Sequence, residues 1–147
     1  MKISREKGFT LLETIVVFSL FCIVISITLI SLQPLYRQIK IDHFIEQLQT
    51  DVLYAKIYSI SHHTNVNISF FPTQNKYYVY TGGIQNNIVS RQYSSEIDLQ
   101  FATLPTIVRF TYNGNIIQSG RMYIKYHGDM YSVVFLFGKG LTYVSKL

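Results

Sequence analysis

The chain has 147 residues, 48% of them apolar, and a formal charge of +5. That length holds one core with at most an appended helix, and so mild a basic excess is ordinary surface solvation that establishes no anionic partner. Cys22 is the only cysteine, which excludes an intrachain disulfide framework and a Cys/His zinc pattern.

The apolar residues are concentrated at the start. From Phe9 to Leu32 the chain reads FTLLETIVVFSLFCIVISITLISL, with Glu13 as its only charge. Thr14 to Leu32 supplies 19 uncharged residues, close to the roughly 20 that a helix needs to cross a hydrocarbon core about 30 Å thick. Lys2, Arg5 and Lys7 precede the run against one acid, Glu6. The positive-inside bias therefore predicts a cytoplasmic N-terminus and an external body. A secretory signal peptide has a shorter apolar region and a small-x-small cleavage site, whereas this run continues into LQPLYRQ. The body beyond the run has no cysteine, which fits export to an oxidising space.

Glu13 is the residue that a plain membrane anchor leaves unexplained. A carboxylate inside a span costs about 2.5–3.5 kcal/mol at the helix centre and less near the interface. One reading is an interfacial side chain that snorkels to water. The other is a partner of opposite charge in the same apolar layer. A cut between Gly8 and Phe9 would create such a charge, the new α-amino group of Phe9.

Lys7-Gly8-Phe9-Thr10-Leu11-Leu12-Glu13, followed by a span-length apolar run, resembles the prepilin signal of type IV pilins and pseudopilins. The resemblance implies a leader of residues 1–8, cleavage by a prepilin peptidase after Gly8 and N-methylation of Phe9. It also implies a filament in which the apolar helices of sibling pseudopilins bundle together. Glu13 would then meet the terminal amine of a neighbour and set the register, since a desolvated charge is tolerable only when paired.

Residues 9–33 are thus expected to form the membrane and filament-core helix. Pro34 is expected to kink or interrupt it, and residues 34–62 to form an amphipathic helix on the body. Ile41, Phe44, Ile45, Leu48, Val52 and Ala55 recur at helical spacing as one apolar stripe. Asp42, Glu46, Gln49 and Lys56 lie off it, and His62-His63 reads as its polar end.

From Thr64 the period becomes two, and residues 63–147 are expected to be an antiparallel β body. Strands are expected in NVNISFF, KYYVYT, IVSRQYS, IDLQFATL and TIVRFTY, the last with Val108, Phe110 and Tyr112 on one face. Asn113-Gly114-Asn115 supplies turn chemistry. RMYIKYH and MYSVVFLF are expected to pair through a Gly128-Asp129 turn, the second strand central and covered. Gly138-Lys139-Gly140 is expected to turn into LTYVSKL. The fold class is α+β: a long N-terminal hydrophobic and amphipathic helix, then a small antiparallel β body, a pilin-like arrangement.

The rhythm Phe110…Gly114…Gly120…Ile124…Tyr131…Val133…Gly138-x-Gly140 is similar to the C-terminal half of GspH- and FimT-type minor pseudopilins. Among these it is most like the ComGD-like chains of the Gram-positive competence pseudopilus. The resemblance implies a role in transformation DNA uptake and location in the cell membrane, then at the cell surface in a filament. A type II secretion or type IV pilus minor subunit, or a membrane-anchored adhesin or DNA-binding domain, are the alternatives.

No catalytic constellation, phosphate loop or metal pattern stands out, so no enzymatic activity, cofactor or metal is expected. Arg109, Arg121, Lys125, Lys139 and Lys146, with many tyrosines and phenylalanines between them, are the candidates for contact with DNA. Several of those aromatics alternate into core positions, which weakens that reading.

Overall fold

The computed structural model describes residues 10–136 and 142–147, with only the backbone at residues 28, 30 and 31. The leader, the Gly8/Phe9 step, Phe137, Lys139 and the Gly138-Lys139-Gly140 turn lie outside the described residues. Helix α1 spans Leu11–Ser61. Among the described residues eight strands follow: β1 (Val66–Phe71), β2 (Lys76–Thr81), β3 (Asn87–Gln92), β4 (Ile97–Phe101), β5 (Ile107–Phe110), β6 (Gly120–Tyr126), β7 (Asp129–Phe135) and β8 (Thr142–Lys146). By compactness the chain divides into residues 1–40 and 41–147. The helix continues through Pro34, where a kink or an interruption was expected, so it is not interrupted there.

Within residues 41–147 the helical stripe forms one wall of the core. Ile41, Phe44, Leu48, Val52 and Ala55 are buried, and Ile45 packs against them half-exposed. Each large apolar side chain so buried contributes roughly 1.5–3 kcal/mol. The helix closes at Ser61, where the Thr64 N–H reaches back to the Ser59 carbonyl at 3.2 Å and His63 takes a left-handed φ of 48°. His62 stacks on Tyr58 with ring centroids 3.9 Å apart.

The β body is two four-stranded antiparallel sheets, ordered β3-β2-β1-β5 and β4-β6-β7-β8. Alternation places Val66, Ile68 and Phe70 of β1 inward, with Val108 and Phe110 of β5. Met122 and Ile124 of β6 and Val133 and Phe135 of β7 fill the same core from the second sheet. As expected, β7 is a central strand.

Two local expectations are corrected. Tyr112 is 55% exposed, because β5 ends at Phe110 and Thr111 already opens the turn around Gly114. The β6–β7 connection is His127-Gly128, both at positive φ, rather than Gly128-Asp129. The right-handed strand twist favours such a two-residue loop.

Gly120 has a packing role. The carbonyl of its neighbour Arg121 accepts from the N–H groups of Ala102, Thr103 and Leu104 at 3.1–3.2 Å. The Arg121 N–H in turn donates to Thr103 Oγ1 at 2.9 Å. The loop after β4 is thereby pressed against Gly120, where a Cβ would lie 2.5 Å from Leu104 Cα.

Candidate assembly helix

The site begins at the cap of α1. Thr10 precedes the helix, and its Oγ1 accepts from the Glu13 N–H at 3.3 Å while its carbonyl accepts from the same N–H at 3.1 Å. Thr10 is thus the N-cap and Glu13 the third helical residue, the Thr-x-x-Glu spacing of a capping box. The Glu13 carboxylate also lies in the first turn, where the helix dipole favours negative charge. The Thr10–Glu13 spacing is the sequence signal of this cap and lies within the prepilin-like stretch.

Beyond the cap the helix is apolar on every side. Leu11, Phe18, Phe21, Val24 and Leu29 are 61–79% exposed. A helix that is apolar all round needs lipid or other helices to cover it. The stretch from Thr14 to Leu32 would rise about 28 Å as a helix, the depth of a hydrocarbon core. Three of its hydroxyls do not oppose burial. Thr14, Ser19 and Ser26 each donate to a carbonyl one turn back, at 2.7–2.8 Å. The hydroxyl hydrogens of these three are thereby satisfied inside the helix, as lipid requires.

Residues 41–61 are fixed to the first sheet by a buried polar group centred on Asp51. Asp51 Oδ2 accepts from Tyr77 Oη at 2.7 Å and from Arg91 Nε at 2.9 Å, and Asp51 Oδ1 accepts from Arg91 Nη2 at 3.1 Å. The Asp51 side chain is 4% exposed and that of Arg91 41%. Burial, then the bond to Asp51, pushes the Tyr77 hydroxyl far above the ordinary phenol range. The bond to Asp51 likewise raises Arg91. A carboxylate so deep is tolerable because three donors reach it. The separations of 26 and 40 residues left no local signal to find it by.

The five basic candidates are dispersed. Arg109 projects from β5 in the first sheet, on the face opposite Val108 and Phe110. Arg121 and Lys125 share the outward face of β6 in the second sheet. Lys146 lies across from Tyr131, on the core side of β8, where Asp129 holds its ammonium at 2.9 Å and raises its pKa. Lys139 lies outside the described residues. The structure thus brings Arg121 and Lys125 onto one face and leaves Arg109 and Lys146 apart from them. Among the described residues no group of three His, Cys, Asp or Glu side chains is placed to hold a metal ion.

Three comparisons bear on this geometry. Residues 3–29 match the family model described as the prokaryotic N-terminal methylation motif. The chain is 26% identical to the competence protein ComGD of Bacillus subtilis (strain 168) over 146 residues, 99% of this chain and 98% of that one. Its fold is similar to the crystal structure of the type IV minor pilin FimU of Pseudomonas aeruginosa (strain PAO1). That match has a TM-score of 0.60 at 12% identity and covers 78% of this chain and 91% of FimU. A second crystal form of FimU gives a TM-score of 0.57 at 14% identity over 68% and 88% of the two chains. The long helix followed by two small antiparallel sheets is the pilin fold.

Proposed function

We propose that this chain, a ComGD-like minor pseudopilin by motif, full-length similarity and fold, serves a competence-type pseudopilus that takes up transforming DNA. A prepilin peptidase cuts between Gly8 and Phe9 and methylates Phe9, and the processed chain joins sibling pseudopilins through α1. Before assembly the apolar stretch anchors it in the cytoplasmic membrane with the N-terminus inside. Afterwards the β body faces outward at the cell surface. It acts as a structural component rather than an enzyme.

The observation that carries this reading is Glu13, the single charge in an apolar stretch exposed all round. Desolvated alone, the carboxylate opposes insertion into a helical bundle. Opposite the terminal amine of a neighbouring subunit it becomes a pair. The subunit then leaves the bilayer only into a position that supplies that amine. The similarity to ComGD along nearly the whole chain favours the competence system over a secretion or pilus system.

Mass spectrometry of the native protein tests the processing directly, with a methylated Phe9 as the expected N-terminus. A chain that still begins at Met1 overturns the reading. Glu13→Ala is expected to keep the protein in the membrane and remove it from sheared filaments, with transformation lost. Unchanged incorporation would refute the register role.

A further inference from the structure

We propose that the outward face of the first sheet carries a binding site for a sugar-sized ligand bearing an oxyanion, centred on Arg109. This site stands apart from the assembly role and does not rest on it. The strand registers create it. Asn67 of β1 lies between Tyr80 of β2 and Arg109 of β5, so three polar side chains form one cross-strand row. Directly opposed residues on one face are close enough to act on a single ligand.

The row forms the floor of a recess of about 420 Å³ lined by Asn65, Asn67, Tyr80, Gly82, Arg109, Phe110 and Ile117. A second recess of about 310 Å³, toward Ile107 and Gln118, shares Arg109 and Ile117 with it. Each is of the scale of a small-molecule site. The floor is ordered: Tyr80 is only 7% exposed, and its hydroxyl lies 3.0 Å from Ser69 Oγ. Asn65 Oδ1 accepts from the Tyr112 N–H at 3.1 Å, which leaves the donating end of that amide for a ligand.

The chemistry follows from the donors. No acidic side chain lines either recess, and Arg109 makes no ion pair among the described residues. A planar guanidinium without a counter-ion matches a phosphate or carboxylate through two parallel hydrogen bonds. The Asn amides beside it suit hydroxyl groups, and Ile107 and Ile117, 37% and 47% exposed, offer apolar contact at the rim. An oxyanion on a hydroxyl-bearing ring meets all three demands. Phosphate and carboxylate share this chemistry, so the test carries both.

The test uses the full isotope-labelled chain in detergent micelles at fixed ionic strength, titrated separately with glucose 6-phosphate, glucuronate and glucose. At least one of the two anions is expected to move the amide signals of residues 67, 80, 82 and 109 saturably, and glucose is not. The anion that binds identifies the source. Arg109→Ala is expected to weaken that binding about 10-fold or more, with the rest of its spectrum unchanged because Arg109 is exposed. Arg121→Ala, on the other sheet, is expected to bind as the parent does. The proposal is overturned if neither anion saturates, if glucose binds as well as they do, or if Arg109→Ala binds undiminished.

Discussion

Asp51 and Arg91 meet through two hydrogen bonds of 2.9 and 3.1 Å, joining the helix to a strand 40 residues further along the chain. Because β3 is an edge strand of its sheet, this pair together with Tyr77 ties both the edge and the interior of that sheet to α1. Arg91→Ala leaves the Asp51 carboxylate buried with only Tyr77 as donor. The loss expected is about 2 kcal/mol, below the 3–5 of a fully buried pair because Arg91 is partly in water. Asp51→Ala orphans the Tyr77 hydroxyl instead, at about 1–3 kcal/mol. The double variant is expected to cost less than the sum of the two. Denaturant unfolding of the full chain in micelles reads all three.

The tyrosines predict an alkaline limit. Burial pushes Tyr93 up to about 12 and Tyr77 higher still. A phenol whose pKa is raised in the folded state holds its proton while the unfolded chain releases it. Stability is therefore complete below the ordinary value near 10 and falls as pH rises above it. Absorbance at 295 nm should show Tyr77 and Tyr93 titrating only as the fold is lost. The Tyr93 hydroxyl is buried without a hydrogen-bond partner among the described residues. Tyr93→Phe should then leave stability unchanged or raise it by up to about 1 kcal/mol, and should shift the alkaline transition upward.

Gly120→Ala is expected to destabilise by about 1–3 kcal/mol. Its new Cβ would meet the Leu104 backbone at 2.5–2.6 Å, and that backbone is already held by the Arg121 carbonyl. Gly83→Ala is the control. Nothing lies within 4 Å of a Cβ there, so a change within about 0.5 kcal/mol is expected. Thermal melts of the two variants decide it.

Thr10 and Glu13 separate capping from assembly. Thr10→Ala removes the cap at a cost of about 1 kcal/mol to the first turn, visible as faster amide exchange at residues 12 and 13. It should leave filament incorporation largely intact, whereas Glu13→Ala should abolish it. Equal losses from both variants would assign Glu13 to the cap alone.

The parts of the fold governed by local period were readable. The stripe from Ile41 to Ala55 and the alternation of β1 and β5 follow directly from side-chain spacing, and the central place of β7 from its continuous apolar run. The division into two sheets was not, because β1 takes β5 as its second neighbour across the intervening β2, β3 and β4. No local pattern encodes that choice. Tyr112 failed for a similar reason, since alternation says nothing about where a strand stops. At the site, the Glu13 question was legible from charge alone, while the Asp51 group and the row through Tyr80, Asn67 and Arg109 exist only once distant strands come into register.

Pro34 has no N–H, so it cannot donate to the Ile30 carbonyl one turn earlier in α1. In water or among headgroups that oxygen finds a partner; in hydrocarbon a bare carbonyl costs several kcal/mol. A membrane-inserted chain would therefore be expected to use this turn as a depth stop, with the proline level with the polar boundary and Arg37 and Lys40 beyond it on the polar side.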